Sequence, residues 1–239
     1  MHARYCALIF GAFAVGSLCA QDSYSAGTIY FQAADYSGPT VVGAPFCGET
    51  RNVKTVSQPD GTQKIVEFAP NKSCRDSAGR TRNEQPVWLQ PGGPQVGPLL
   101  VEIRDPVAAA RYVVYAVNKT VYRQPLQSRR TVHPPAPMPR PADSEVSRSM
   151  EDLGTQTMEG LVVEGRRYTL PPGTTTEESW WSPELGVYVL QRSSDSVKGE
   201  LIHKLIHVTR SEPDPDLFRL PADYAVVDKS GDFGIVWGQ

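Results

Sequence analysis

The chain has 239 residues, 24 of them Lys or Arg and 26 Asp or Glu, for a net charge of −2. That near-neutrality supplies no bulk attraction to a polyanion, so no nucleic-acid partner is expected. Its 21 prolines and 20 glycines favour many turns over long helices.

Residues 1–20 read as an export signal. His2 and Arg4 give a weakly cationic start, Tyr5 to Leu18 is almost uninterrupted apolar and small, and Ser17 to Ala20 offers a cleavage site after Ala20. The apolar run falls short of the roughly 20 residues that a membrane-spanning helix needs. No later stretch is long and apolar enough either, so no transmembrane span is expected once the signal is removed. A periplasmic or secreted location follows. Of the four cysteines, Cys6 and Cys19 fall in the signal, leaving Cys47 and Cys74. In an oxidising compartment two cysteines most simply form one disulfide. A metal pair is the alternative, but no histidine lies near either one in sequence.

From Thr28 the pattern is strands and turns. Ile29, Phe31 and Ala33 alternate with Tyr30 and Gln32, the period of a half-buried strand. Val53–Ser57 and Gln63–Ala69 flank Pro59-Asp60-Gly61, a strong hairpin signal. Gly79 supplies a turn, and Thr81–Gln85, polar on both faces, reads as a marginal or edge strand. Residues 86–98 carry four prolines and three glycines and read as irregular. Leu99–Arg104 and Arg111–Val117 resume strands, the second apolar enough on both faces to be central. Asn118-Lys119 turns into Val121-Tyr122.

Residues 124–149 are rich in proline and arginine and read as a linker or long loop between a first strand-rich half, 21–123, and a second, 150–239, that joins it in one sheet. The segment favours extended polyproline conformation; a solvated crossover and a ligand that docks a partner are the two readings. Beyond it, Gln156–Met158, Leu161–Val163 and Arg167–Leu170 read as strand pieces broken by Gly160 and Gly165. Glu178–Trp181 pairs with Val187–Gln191, and Glu200–Arg210 is the longest late run. Asp214 caps a short helical turn with Pro215 at its first position, and Pro221 ends it. The expected fold class is therefore mainly all-β: a strongly curved antiparallel sheet, as in a half-open barrel, with one or two short helical turns.

The catalytic inventory is thin. Only His133, His203 and His207 remain in the exported chain. His203 and His207 have the four-residue spacing of a zinc-protease helix, but Lys204 stands where that motif needs a glutamate base. On a strand the two imidazoles stand roughly 13 Å apart, too far for one ion. They are the weak metal candidates, in a hydrolase reading with a distant carboxylate. No nucleophile elbow and no phosphate-cradling glycine loop is present, and no cofactor is expected. The aromatic supply is richer. Adjacent Trp180 and Trp181 on a strand must face opposite sides, so one enters the core while the other lies under a loop or in a groove. Trp180, Trp181 and Tyr188 are the candidate ligand-binding residues.

Five motifs run through the chain: R-D-S-x-G-R-x-R-x-E (Arg75 to Glu84), I-R-D-P-V-A (Ile103 to Ala108) with Y-x-x-Y-x-x-N-K (Tyr112 to Lys119), E-x-L-G-x-x-x-M-E-G (Glu151 to Gly160), W-x-x-x-L (Trp181 to Leu185), and R-S-E-P-D-P-D-L-F-x-x-P-A-D-Y (Arg210 to Tyr224). Together they resemble a group of uncharacterised secreted bacterial proteins. The strand order is also remotely similar to the unclosed barrel of periplasmic lipoprotein-localisation carriers. The likeness is architectural and implies no known activity; the run of strands, the aromatic supply and the thin catalytic inventory point to a non-catalytic protein that binds an apolar or envelope ligand on a concave sheet, or to an envelope structural component. The chain departs from that family in lacking long helices to fill the concave face.

Overall fold

The structure is a computed structural model that describes residues 27–32, 39–58, 60–88, 96–126, 130–139, 148–170, 175–196 and 199–237. The expected export signal, with Cys6 and Cys19, lies outside these residues. Sixteen strands are present among the described residues: β1 Gly27–Phe31, β2 Thr40–Val41, β3 Phe46–Ser57, β4 Gln63–Arg75, β5 Thr81–Trp88, β6 Val96–Asp105, β7 Ala110–Tyr115, β8 Thr120–Pro125, β9 Thr131–Val132, β10 Ser149–Met158, β11 Leu161–Leu170, β12 Thr175–Ser182, β13 Val187–Asp195, β14 Gly199–Thr209, β15 Ala225–Asp228 and β16 Phe233–Trp237. The helical content among them is two 3-10 turns, Ala116–Asn118 and Pro215–Phe218. No helix of the described residues is long and apolar enough to cross a membrane.

Twelve strands form one curved sheet in the order β10-β11-β12-β13-β14-β3-β4-β5-β6-β7-β8-β15. All neighbours are antiparallel except β15 beside β8. The end strands β10 and β15 do not pair, so the sheet stays open. Strands from both sides of the proline-rich segment enter it, joined where β14 lies against β3. Two small ribbons complete the fold, antiparallel β1-β16 and parallel β2-β9.

Residues paired directly across antiparallel strands share a face, so the registers sort the right-hand half of the sheet into two sides. One carries the row Phe46, Arg75, Thr81, Arg104, Arg111, Gln124, and beside it Gly48, Ser73, Asn83, Glu102, Val113, Tyr122. This is the Arg75 face. The other carries Cys47, Cys74, Arg82, Ile103 and Tyr112, and is the disulfide face. The β1-β16 ribbon covers part of the Arg75 face: Ile29 and Phe31, 4% and 3% exposed, pack with Phe233 and Ile235 on Leu100, Val113 and Tyr115, while Tyr30 between them is 54% exposed. That is the alternation expected for residues 28–32. A second cluster, Phe46, Leu161, Val163, Trp180, Val187, Val189 and Leu205, is capped by Val41 and Ala44. A third lies on the disulfide face, where Phe218 of the second 3-10 turn packs on Val101, Ile103, Val114 and Val121.

Several local expectations change. Thr81–Gln85 is not marginal: β5 is an interior strand, paired with β4 and β6. Its polar residues fit because their neighbours in register, Ser73, Glu102 and Arg104, are polar as well. Pro86 and Pro98 lie inside strands, against the irregular reading of 86–98. Both sit where the strand is paired on one side only, the place at which a sheet tolerates a residue without an N–H. Pro70 of β4 is placed the same way. Gly165 does not break β11, which runs unbroken to Leu170. A Cβ there would meet the Trp180 ring at 2.6 Å, so the glycine makes room for the indole.

The sheet also forks. β3 pairs with β4 from Phe46–Arg75 to Ser57–Gln63, but β5 pairs with β4 only over Lys72–Arg75. Beyond Glu84 the strand β5 stays with β6, so the free edges of β4 and β5 leave a notch whose floor is the Lys72–Glu84 and Ser73–Asn83 pairs.

Candidate functional site

The arginine of the first motif is the centre of the structure. Arg75 is buried on the sheet row beside Phe46, whose ring its guanidinium covers at 5.0 Å. Its Nε and Nη2 donate to the Ala44 carbonyl at 3.0 and 2.8 Å, and Nη2 also donates to the Leu185 carbonyl. Burial pulls its pKa down to about 10, so it stays cationic at neutral pH, donating to main-chain carbonyls.

On the same face Glu102, from the neighbouring row, forms a buried ionic group with Arg104 and Arg111. Glu102 accepts from Arg104 Nε at 2.6 Å and from Arg111 Nε and Nη2 at 3.0 and 3.1 Å. Arg111 Nη1 reaches the Gln32 carbonyl at 3.0 Å, and Gln124 Nε2 donates to the Gly231 carbonyl at 2.9 Å. These two side chains tie down one end of the β1-β16 ribbon, where Phe31 pairs with Phe233, and the Arg111 guanidinium lies 5.5 Å from the Phe31 ring.

Between the Arg75 clasp and the Arg111 clasp lie Ser73, Thr81 and Asn83. Ser73 is buried, and Thr81 Oγ1 and Asn83 Oδ1 are sealed from solvent with no hydrogen-bond partner among the described residues. Two such oxygens two residues apart on one strand face are unusual, because a buried polar group without a partner costs about 1–3 kcal/mol. They adjoin the floor of the notch, since Asn83 is next to Glu84, the last β5 residue paired with β4. Sequence reasoning did not single out Thr81, Asn83, Glu102, Arg104 or Arg111. The available signal was β5 itself, a strand polar on both faces.

The tryptophans part as strand alternation requires. Trp180 enters the cluster around Val189, its Nε1 donating to Glu178 Oε1 at 2.8 Å. Trp181 lies on the opposite side, 3% exposed, against Ala136, Met138 and Tyr188. A bulge at this pair sets Trp180 opposite Leu190 and Trp181 opposite Tyr188. Within the proline-rich segment, Ala136 and Met138 are therefore packed beside Trp181, while the residues on either side of them are exposed. Trp181 Nε1 donates to the Ala136 carbonyl at 2.6 Å, and the Ala136 N–H donates to the Pro183 carbonyl at 2.8 Å. The Trp181 and Tyr188 rings meet edge-on at 4.8 Å. Burial pushes the Tyr188 phenol up to about 12. All three aromatic candidates are thus covered by the chain itself.

The histidines do not converge. His203 is half-buried, its Nδ1 2.5 Å from Asn52 Oδ1, while His207 is exposed, with Nδ1 3.5 Å from Glu49 Oε2. No group of three or more His, Cys, Asp or Glu among the described residues could hold a metal ion. Burial holds the His203 pKa below its ordinary value of 6.5. The unfolded chain then binds a proton that the folded chain resists, so this contribution is fully present above about pH 6.5 and is lost as pH falls below it. Urea midpoints should drop between pH 7.5 and pH 5, and His203→Gln should flatten that part of the slope. An unchanged slope in the variant would assign the acid loss to other groups.

Cys47 and Cys74 form the expected disulfide directly across the β3-β4 pair. The remaining motifs clasp one another on the disulfide face. Ser77 donates to Glu212 through its N–H and Oγ, Arg82 Nη1 donates to the Leu217 carbonyl at 2.9 Å, and Arg80 lies 5.0 Å from the Phe218 ring. The Asp214 side chain caps the turn by accepting from the Asp216 N–H at 2.9 Å. Lys119 pairs with Asp223 at 2.7 Å. Arg75, from the first motif, reaches Leu185 of the W-x-x-x-L motif. The motif residues thus hold the fold together.

No protein-family model matches the chain, and no curated protein matches it. Solved structures to which part of the chain is similar include MucB, at 11% identity and a TM-score of 0.38 over 77% of this chain and 60% of that one. They also include an outer-membrane lipoprotein-sorting protein domain from Vibrio parahaemolyticus, at 7% identity and a TM-score of 0.28 over 73% and 89%. A DUF1329 family protein from Desulfovibrio piger matches at 9% identity and a TM-score of 0.28 over 74% and 90%. The chain spans about 60% of the length of MucB.

Proposed function

We propose that this chain is an exported, non-catalytic binding protein that holds an amphipathic envelope ligand against the Arg75 face. The ligand's polar group lies at Thr81 and Asn83, and its apolar part runs out through the notch between β4 and β5. The observation that carries this reading is the pair of sealed, unpartnered oxygens, Thr81 Oγ1 and Asn83 Oδ1. They stand on a polar row flanked by the apolar clusters around Phe46 and around Val113. A threonine hydroxyl donates or accepts, and an amide oxygen accepts. A ligand group carrying both a donor and an acceptor satisfies the pair. The buried arginines and Glu102 already have their own partners and supply a fixed field around it.

The test is a trade-off between stability and loading. Thr81→Val with Asn83→Leu removes both orphan oxygens. The ligand-free variant should be more stable by about 1–3 kcal/mol, the cost of unsatisfied polar groups, and its organic extract should lose whatever amphiphile the wild type carries by mass spectrometry. A variant that is less stable and keeps its ligand load would sink the reading.

A further inference from the structure

Arg75 differs from the other buried arginines of its face. Arg104 and Arg111, 8% and 5% exposed, share the Glu102 carboxylate. Arg75, 4% exposed, donates to the Ala44 and Leu185 carbonyls, and no carboxylate pairs with it among the described residues. Burial is the cause of its lowered pKa, and no described acid acts against it. Carbonyls satisfy its hydrogen bonds and leave its charge without a counter-ion, although buried charges are ordinarily paired. The two orphan oxygens lie on the adjoining strand. Thr81 pairs directly with Arg75 on one side and with Arg104 on the other, so its side chain shares their face at a Cα spacing of about 4.5–5.5 Å. Asn83 stands on the same face between Ser73 and Glu102. A missing counter-ion and two missing hydrogen bonds thus adjoin, and neither is a consequence of the other.

Resting on the ligand site proposed above, we propose that its ligand carries an anionic head group with a hydroxyl beside the charge, seated between Arg75 and Asn83. The anion is the counter-ion of Arg75 and accepts a charge-assisted hydrogen bond from the Thr81 hydroxyl. Asn83 Oδ1 only accepts, so the head group donates to it. An ammonium donor is disfavoured there, because Glu102, the acidic neighbour of Asn83 in register, is already held by two arginines. An uncharged hydroxyl is the simplest donor that remains. Phosphodiester lipids with a hydroxylated head and hydroxy fatty acids share this chemistry.

The test is calorimetric titration of the protein, refolded to strip bound amphiphile, with lipids below their micelle concentrations. Dioctanoyl phosphatidylglycerol is compared with dioctanoyl phosphatidylcholine, which has the same chains and no net charge. β-Hydroxydecanoate is compared in the same way with neutral monooctanoylglycerol. In at least one pair the anionic member should bind about tenfold or more tightly, the scale of one charge-assisted hydrogen bond, and which pair shows it tells a phosphodiester from a carboxylate. The preference should persist from about 0.05 to 0.5 M salt, because a buried pair is screened little. Thr81→Val, which keeps the side-chain shape, should lower the affinity for the preferred anion about tenfold and leave that for its neutral counterpart unchanged. Equal binding within both pairs overturns the anionic head group and leaves the amphiphile site standing. A preference that disappears at high salt, or one that survives Thr81→Val, places the anion on exposed cations and also overturns it. If none of the four probes binds, the amphiphile site falls together with the head group.

Discussion

Arg75→Met lowers the unfolding free energy by about 3 kcal/mol, the expectation for stranding two buried carbonyls at about 1–3 kcal/mol each. The Ala44 carbonyl loses both of its arginine donors and the Leu185 carbonyl loses one. Methionine fills much of the volume and removes the desolvation cost of the charge, which offsets part of the loss. The damage extends beyond the pair of bonds, because Ala44 caps the cluster around Phe46, and Leu185 anchors the turn that follows Trp181. Arg75→Lys should fall nearly as far. An ammonium cannot reproduce the planar fork that serves two carbonyls from one side. Chemical denaturation of both variants decides the matter, and a loss below about 1 kcal/mol in either would mean that the clasp is not a structural keystone.

Removing the Cys47–Cys74 disulfide has an effect of similar size. The bond closes a sequence separation of 27 residues, and the chain-entropy model gives about 3.5 kcal/mol for a loop of that length. Cys47→Ala with Cys74→Ala should lower the urea midpoint accordingly, with little change in the native spectrum, since the β3-β4 ladder continues on both sides of the bond. Adding reductant to the wild type should reproduce the variant. A midpoint shift worth less than about 1 kcal/mol would show that the reduced chain retains the hairpin and loses little entropy on folding.

What was legible in the sequence is what local chemistry dictates. Two cysteines outside the expected signal had only each other. Asp214 followed by Pro215 specified its turn, and adjacent tryptophans on a strand had to part. The β-rich class followed from alternation in stretches such as residues 28–32 and 111–117. What escaped is what only distant neighbours decide. Thr81–Gln85 looked marginal because polar residues on both faces suit an edge, and nothing local reveals that Ser73, Glu102 and Arg104 make one side polar. Pro86 and Pro98 looked like breakers because what leaves each unpaired on one side, the fork between β4 and β5 for Pro86 and the start of the β6-β7 ladder at Leu100 for Pro98, is a property of strands together. Gly165 looked like an interruption until Trp180 was seen to occupy its space. Arg75 gave no sign of Leu185, more than a hundred positions away. The seating of Ala136 and Met138 was hidden for the same reason, since proline composition describes a conformation and not a resting place.

The β3-β14 pairing bears on the order in which the molecule assembles. Strand β3 meets β4 within its own hairpin, so that contact closes a short loop and forms early. On its other edge β3 pairs with β14, as where Thr55 meets Glu200. The chain is made N-terminus first, so β3 spends most of synthesis with an exposed edge that its own sequence cannot yet cover. The disulfide can set while that edge is bare, because both cysteines lie in the hairpin. A chaperone that shields strand edges should therefore raise the folding yield of the full chain far more than that of the isolated β3-β4 hairpin.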